Sequence, residues 1–398
     1  MKRFLLISDV HACEDDPSSS LSPSYVSSFG GGTRPTVDPL SDLRRLIDEE
    51  QLQLDCILCP GDITNKANSN AFNYVWPRLH DLANELGIPL VSTVGNHDVD
   101  SRYKTSTFDP RDFAKAIVPP IPFGDRQNYL EFWAEDFTSI SLDDCNILAL
   151  NTAAYHGAGR DTAAEIEHGR ISPRTIEAIK TKLSTLPSAS TNILLCHHHP
   201  LQPEQSDENL AGLTRGGSEL IRVLNDAPTS WILIHGHKHV PDLFYGHGGA
   251  NSPVIVSCAS FSAQINFDAQ NKNPNQVHLL TSDPSGARQS GWNSAGTILS
   301  WTWQPGVGWK KSFGPHGLRH VCGFGHRASA ASLVDQIDAY YTTQSVNSLA
   351  WTTAIATFPS LMRLVPSDFR ALERELEQRG FVILTDRDGS YAQLGRRP

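Results

Sequence analysis

The chain has 398 residues, 39% of them hydrophobic and 19% charged, with a formal net charge of −10. That balance excludes a disordered or fibrous protein, and the length allows one large domain with a smaller one beside it. No apolar run approaches the roughly 20 residues needed to span a bilayer, so no membrane partner is expected, and the acidic balance leaves nucleic acid possible but not favoured.

The opening segment, Met1 to Ile7, has only a four-residue apolar stretch before Ser8 and Asp9. A secretory leader needs roughly 7 to 15, so the segment reads as a first strand, buried on both faces. Asp9 and His11 follow, and in an extended segment residues two apart point the same way. From Glu14 to Pro39 the chain is polar and rich in glycine and proline. It reads as a long loop beside a candidate site. Leu40, Leu43, Leu46 and Ile47 recur at helical spacing.

A second apolar run, Leu54 to Cys59, leads into Gly61 and Asp62. Cys56 and Cys59 have metal half-site spacing but lie inside that run, and they read as core residues. The seven cysteines show no repeated spacing, which suits reduced thiols in a cytoplasmic setting. Phe72 to Leu86 forms another helical pattern, with Pro77 as a kink or near the start. The run Ile88 to Val94 then ends in Gly95-Asn96-His97-Asp98. Strand, helix, strand, helix, strand predicts a parallel sheet with helices on its faces.

Residues 99 to 136 read as an ordered, proline-rich excursion. Ile140 to Leu142 and Asn146 to Asn151 suggest a hairpin, with Tyr155, His156 and Arg160 beyond it as candidate substrate contacts. A helix over Pro173 to Leu186 precedes the strand Ile193 to Cys196 and the run His197-His198-His199-Pro200. Leu213 to Asn225 suggests a helix and Trp231 to Ile234 a strand, ending in His235-Gly236-His237-Lys238-His239. His235 reads as a packed strand-end residue. Three later runs, at Val254, Val277 and Thr297, predict a second sheet.

Phe313-Gly314-Pro315-His316-Gly317 has linker composition. His316, His320 and His326 read as solvated. Beyond them come two or three helices, Ser367 as an N-cap, a helix ending at Gly380, and a hairpin from Phe381 to Leu394. The outline resembles a winged helix. From Arg363 to the end seven arginines face six acidic residues, so no basic stripe for DNA is present.

Five apolar runs are thus each followed by Asp, His or Asn, and in open α/β sheets ligand sites form outside the carboxyl ends of strands. Asp9-Val10-His11, Gly61-Asp62, Gly95-Asn96-His97-Asp98, the histidine run before Pro200 and Gly236-His237-Lys238-His239 together resemble the calcineurin-like metallophosphoesterases. The likeness covers roughly residues 1 to 310, and its nearest look is to the cyclic-nucleotide and glycerophosphodiester phosphodiesterases. It implies two divalent metal ions (Mn, Fe or Zn). Asp9, His11, Asp62 and His239 would hold one; Asp62, Asn96, His198 and His237 would hold the other. The pattern puts the ligand two residues before Pro200, and a shift of one residue gives His197 instead. Two such ions roughly 3.5 to 4 Å apart repel by roughly 20 kcal/mol at an effective dielectric of about 20, hence the shared anionic Asp62. His97 and Asp98 would be catalytic, His97 acting on the leaving side and Asp98 orienting it.

Departures narrow the resemblance. Purple acid phosphatases carry a metal-binding tyrosine three residues after the shared Asp, where this chain has Asn65. Serine/threonine phosphatases follow their Gly-Asp with Asp-Arg-Gly, where this chain has Ile63-Thr64-Asn65.

The expected fold is α/β: a two-sheet β-sandwich flanked by helices, with a small C-terminal helical or α+β module. Residues 1–312 would form the catalytic domain, 313–326 a linker, and 327–398 a module for interaction, oligomerisation or capping. The expected function is metal-dependent hydrolysis of a phosphodiester by metal-activated hydroxide. A nuclease, a phosphomonoesterase or a non-catalytic scaffold are the alternatives.

Overall fold

The computed structural model describes residues 1–15, 22–28, 38–157, 167–202, 212–264, 273–314 and 316–397. Two sheets face each other. The first runs in the order Gly308–Lys311, Gly296–Gln304, Gln276–Ser282, Lys2–Leu6, Cys56–Cys59, Leu90–Ser92. Its last three strands are parallel, and Gln276–Ser282 joins Lys2–Leu6 antiparallel. The second runs Asp242–Tyr245, Val254–Ser257, Ile232–His235, Thr191–Leu195, Cys145–Leu150, Phe137–Leu142, with a parallel centre and an antiparallel pair at each edge.

Side-chain alternation assigns each strand's faces. Phe4 and Leu6, with Leu58 and Val91, meet Ile147, Ile193, Leu195, Ile232 and Ile234 between the sheets. Leu5, Ile7 and Ile57 point outward and are covered by Leu43, Leu46, Phe72, Val75 and Leu79. These come from the helices Pro39–Glu49 and Ser69–Leu86, which start at the side-chain caps Asp38 and Asn68. Pro77 lies inside the second helix rather than near its start. The outer face of the second sheet is covered by Pro173–Thr185 and Gly217–Asn225. Burial of both faces explains why the central strands read as unbroken apolar runs. Cys56 and Cys59 are buried and free.

The C-terminal segment folds as helices Ala330–Gln344, Trp351–Thr357 and Pro366–Gln378 around a sheet ordered Ser348–Ala350, Tyr391–Arg396, Phe381–Thr385. Leu333, Ile337, Tyr341, Leu372, Leu376, Phe381 and Leu394 form its own core. The last long helix begins at Pro366 with no side-chain cap, so Ser367 lies in its first turn and is not the N-cap. Proline's fixed φ suits that start without help.

Within the expected linker, residues 313–326, Val321–Phe324 is a strand paired with Gly296 to Leu299. That pairing carries neighbouring histidines inward, so the expectation of solvated side chains fails for two of three. His320 and His326 are buried, His320 with Nδ1 3.0 Å from the Ser300 carbonyl and His326 edge-on to Trp292. His316 is exposed.

Candidate metal centre

The loops after the central parallel strands are laced together by backbone hydrogen bonds. Asp9 N–H donates to Gly61 O at 3.1 Å, His11 N–H to Asp62 O at 2.9 Å, and Gly236 N–H to His197 O at 3.0 Å. These bonds draw residues from opposite ends of the chain to one point above the sheets.

The backbone there is not extended. Asp9, His11, Asp62, His237 and His239 all have positive φ, between 49° and 79°. L-residues seldom occupy this left-handed region, and strain of this kind concentrates at functional sites. Asp9 and His11, like His237 and His239, therefore converge through paired left-handed turns and not through the period of a strand. Glycine serves close approach instead. A Cβ on Gly95 would strike the Asp62 carboxylate, and one on Gly236 would strike Asp9 and Ser8.

Asp62 is the centre. Its Oδ2 lies 3.5 Å from His11 Nε2 and 3.3 Å from His197 Nε2, while Oδ1 accepts the His97 backbone N–H at 2.7 Å. On one side Asp9 Oδ1 is 3.3 Å from His239 Nε2 and 3.8 Å from His11 Nε2, and the two imidazole nitrogens face each other at 3.1 Å. On the other side Asn96 Oδ1 is 3.1 Å from both His197 Nε2 and His237 Nδ1. Oxygen and imidazole donors without thiolate suit first-row divalent ions. Imidazoles turned nitrogen to nitrogen across buried carboxylates fit cations held between them.

The expected residues Asp9, His11, Asp62, Asn96, His237 and His239 are all brought together. His198 is offset: its Nδ1 lies 2.8 Å from Thr152 Oγ1, and its buried Nε2 has no hydrogen-bond partner among the described residues. The member of the histidine run that reaches both Asp62 and Asn96 is His197. Its Nδ1 is anchored 2.9 Å from the Pro60 carbonyl, which aims Nε2 at the centre. His197, His198 and His237 nonetheless lie close enough for a shared ion.

Charge follows this geometry. Burial alone would lower the His197 imidazole, but the Asp62 carboxylate beside it pushes it up to about 9. Burial alone would raise Asp62, and His197, His97 and His11 outweigh it, holding the carboxyl well below its usual range. Burial depresses His237 and His198 well below the ordinary histidine value.

His97 sits at the edge of this cluster, 4.7 Å from the His11 ring, centroid to centroid. Burial lowers its imidazole to about 4, so the ring is neutral near pH 7. The orienting residue expected for it was Asp98, and the contacts differ. Asp98 accepts Thr64 N–H and Gly95 N–H, both at 2.9 Å, which closes the turn around Asn96. His97 Nδ1 instead faces Asn65 Oδ1 at 3.0 Å and Lys66 N–H at 3.3 Å. In the sequence Asn65 stands out only as the residue where purple acid phosphatases have tyrosine. Its position, 32 residues from His97, leaves no local signal of the contact.

His156 is also not placed as a substrate contact. It is buried, bridges Ser101 Oγ and the His168 carbonyl, and stacks on His198. Tyr155 lies beneath the Arg170 guanidinium. Arg160, and most of the loop from Glu14 to Pro39, fall outside the described residues.

The sequence profile of the calcineurin-like phosphoesterases matches residues 2–241. The chain belongs to that family, whose members are metal-dependent phosphoester hydrolases. A second profile, wHTH-Calcineurin_assc, matches residues 322–378. No curated protein matches the chain. Among solved structures, a purple acid phosphatase from yellow lupin seeds is 14% identical, with 76% of this chain and 51% of that one covered and a TM-score of 0.46. A proposed 5′-nucleotidase from Staphylococcus aureus is 13% identical, with coverages of 73% and 52% and a TM-score of 0.38. Zinc-complexed Vps29 from Entamoeba histolytica is 13% identical, covered at 77% and 96%, with a TM-score of 0.32. The chain spans about half the length of the first two, and the family assignment rests on the profile match.

Proposed function

We propose that the protein is a metal-dependent phosphodiesterase. The observation that carries this reading is the convergence of Asp9, His11, Asn96, His197, His237 and His239 on the shared, buried Asp62. Asp9, His11, Asp62 and His239 would hold one divalent ion. Asp62, Asn96, His197 and His237 would hold the other, with His197 in the position expected of His198. When bound, two such ions would supply a nucleophile from water and neutralise the phosphoryl oxygens.

The chain's own groups do the rest. Asp62 supplies the negative charge that lets two cations lie close together. Asn65 Oδ1 and the Lys66 N–H meet His97 at Nδ1, which fixes the ring's orientation. So held, His97 can assist the departing alkoxide by proton transfer. Asp98 keeps the Gly95–Asp98 turn closed. A cytoplasmic setting agrees with seven free cysteines, and no helix among the described residues is long and apolar enough to cross a membrane. Residues 1–312 would be the catalytic domain and 327–398 a module for protein contact, oligomerisation or capping.

The test is metal analysis followed by hydrolysis of a cyclic nucleotide, a glycerophosphodiester and a phosphomonoester by one metal-loaded preparation. Faster turnover of a diester than of the monoester is expected. A preparation that binds no metal and hydrolyses nothing with added Mn overturns the enzyme reading in favour of a scaffold.

A further inference from the structure

A cavity of about 600 Å3, lined by none of the metal-centre residues, lies between the sheet-bearing body and the C-terminal module. Its size falls within the roughly 300 to 1,000 Å3 of small-molecule sites. Three aromatic side chains of the module meet at its wall. Tyr391 lies 5.2 Å from Phe369 in a stacked arrangement and 4.8 Å from Trp351. From the body, the Arg319 guanidinium sits 4.6 Å from the Tyr391 ring centroid and donates to the Gly389 carbonyl at 2.7 Å. Glu373 and Arg370, one helical turn apart on Pro366–Gln378, complete the polar lining.

In a winged helix, a helix in this position and the hairpin turn after it are the parts that reach a duplex. Here both are turned toward the body. The turn at Gly389 is tied to Arg319, and the connector before the helix is fastened by Arg363 to Asp283 at 2.6 Å and by Gly323 N–H to the Leu364 carbonyl. These ties turn that face toward the body, where it lines the cavity.

We infer that this cavity binds a planar heteroaromatic ligand of the nucleobase class, and that the Glu373 carboxylate selects a guanine edge. Glu373 is half-buried in the lining, with the charges of Arg319, Arg370 and Arg374 acting on it. An ionised carboxylate is acceptor-only, with two oxygens. Guanine presents two adjacent N–H donors on one edge, which match those oxygens. Adenine alternates donor and acceptor there, cytosine offers one amino donor beside acceptors, and uracil flanks its single N–H with carbonyls. Arg370, whose charge acts on Glu373, can donate to the base carbonyl, and the aromatic wall accommodates the ring. Burial pushes the Glu373 carboxyl up, against the lowering effect of the Arg319 and Arg370 charges. The inference is independent of the proposed hydrolytic activity.

The test is calorimetric titration of the full-length chain with guanosine, adenosine, cytidine and uridine as separate probes. Guanosine is expected to bind saturably and more tightly than the other three. Glu373→Gln should weaken guanosine by about 10- to 100-fold, the worth of a hydrogen bond to a charged acceptor. Ile355→Trp, which fills the cavity from the helix Trp351–Thr357, should abolish binding with an intact melting transition. Asp62→Asn should bind as wild type does. The inference is overturned if no nucleoside saturates, if guanosine has no preference, if binding survives unchanged in Glu373→Gln, or if Asp62→Asn loses it, which would put the nucleoside at the metal centre.

Discussion

The loops above the two sheets and the core of the C-terminal module hold their shape by different means. In the module, Leu372, Leu376, Phe381 and Leu394 fill an apolar interior, and local sequence preference agrees with the fold. Above the sheets, five chemistry-bearing residues adopt positive φ and charged or imidazole groups crowd one another with little access to water. Strain there is tolerated because the sandwich beneath over-determines the loops. Substitutions should therefore cost chemistry in the first region and stability in the second.

The largest effect is expected from Asp62→Ala. It removes the one carboxylate that both halves of the site share, so phosphodiester hydrolysis and bound metal should disappear together, as measured by turnover and elemental analysis on a chain with an unchanged circular dichroism spectrum. His97→Ala should leave metal content intact and lower kcat by about 10²- to 10⁴-fold, the range of general acid–base catalysis. Normal turnover in that variant would remove His97 from the mechanism.

In the module, Leu372→Ala deletes a fully buried side chain and should cost about 2–5 kcal/mol of folding stability, read by chemical denaturation. Turnover per folded molecule should be unchanged. If it falls instead, the two regions are not as separate as their packing suggests. Asn65→Leu sharpens the comparison from within the site, since it removes the side-chain contact that holds His97 Nδ1. It should reduce kcat by about 10-fold or more without releasing metal, whereas Asp98→Asn should act through the turn and impair metal content and activity together.

Much of this division is legible in the amino acids alone, because chemistry-bearing residues at strand ends and apolar periodicity are both local signals. The family profile over residues 2–241 agrees with the resemblance carried by the five motifs. What local patterns do not carry is registration across long loops. The histidine run is ambiguous because a one-residue shift exchanges which ring faces Asp62, and only the hydrogen bond from His197 to the Pro60 carbonyl decides which ring does. Asn65 holds His97 across 32 positions. His320 and His326 are buried by a strand, Val321–Phe324, that pairs with a partner over 20 residues earlier. Left-handed backbone at Asp9 or His237 has only a weak signature in residue type, since Asp and His are enriched there but far less than glycine.

The smallest effect should come from a residue that resembles the site in construction but serves only a turn. Burial alone would raise the Asp100 carboxyl, yet it accepts backbone N–H groups from Lys104, Thr105 and Ser106, which bring it down to about 2. The folded value lies below the unfolded value of about 3.9. The carboxylate therefore contributes its full stability above about pH 4 and loses it as pH falls toward 2. Asp100→Asn keeps one acceptor oxygen and should cost about 1 kcal/mol at neutral pH. The difference from wild type should shrink to nothing at the acid end of a pH series of denaturation curves. A difference that persists unchanged at low pH would mean that shape, and not charge, holds residues 100–106 in place.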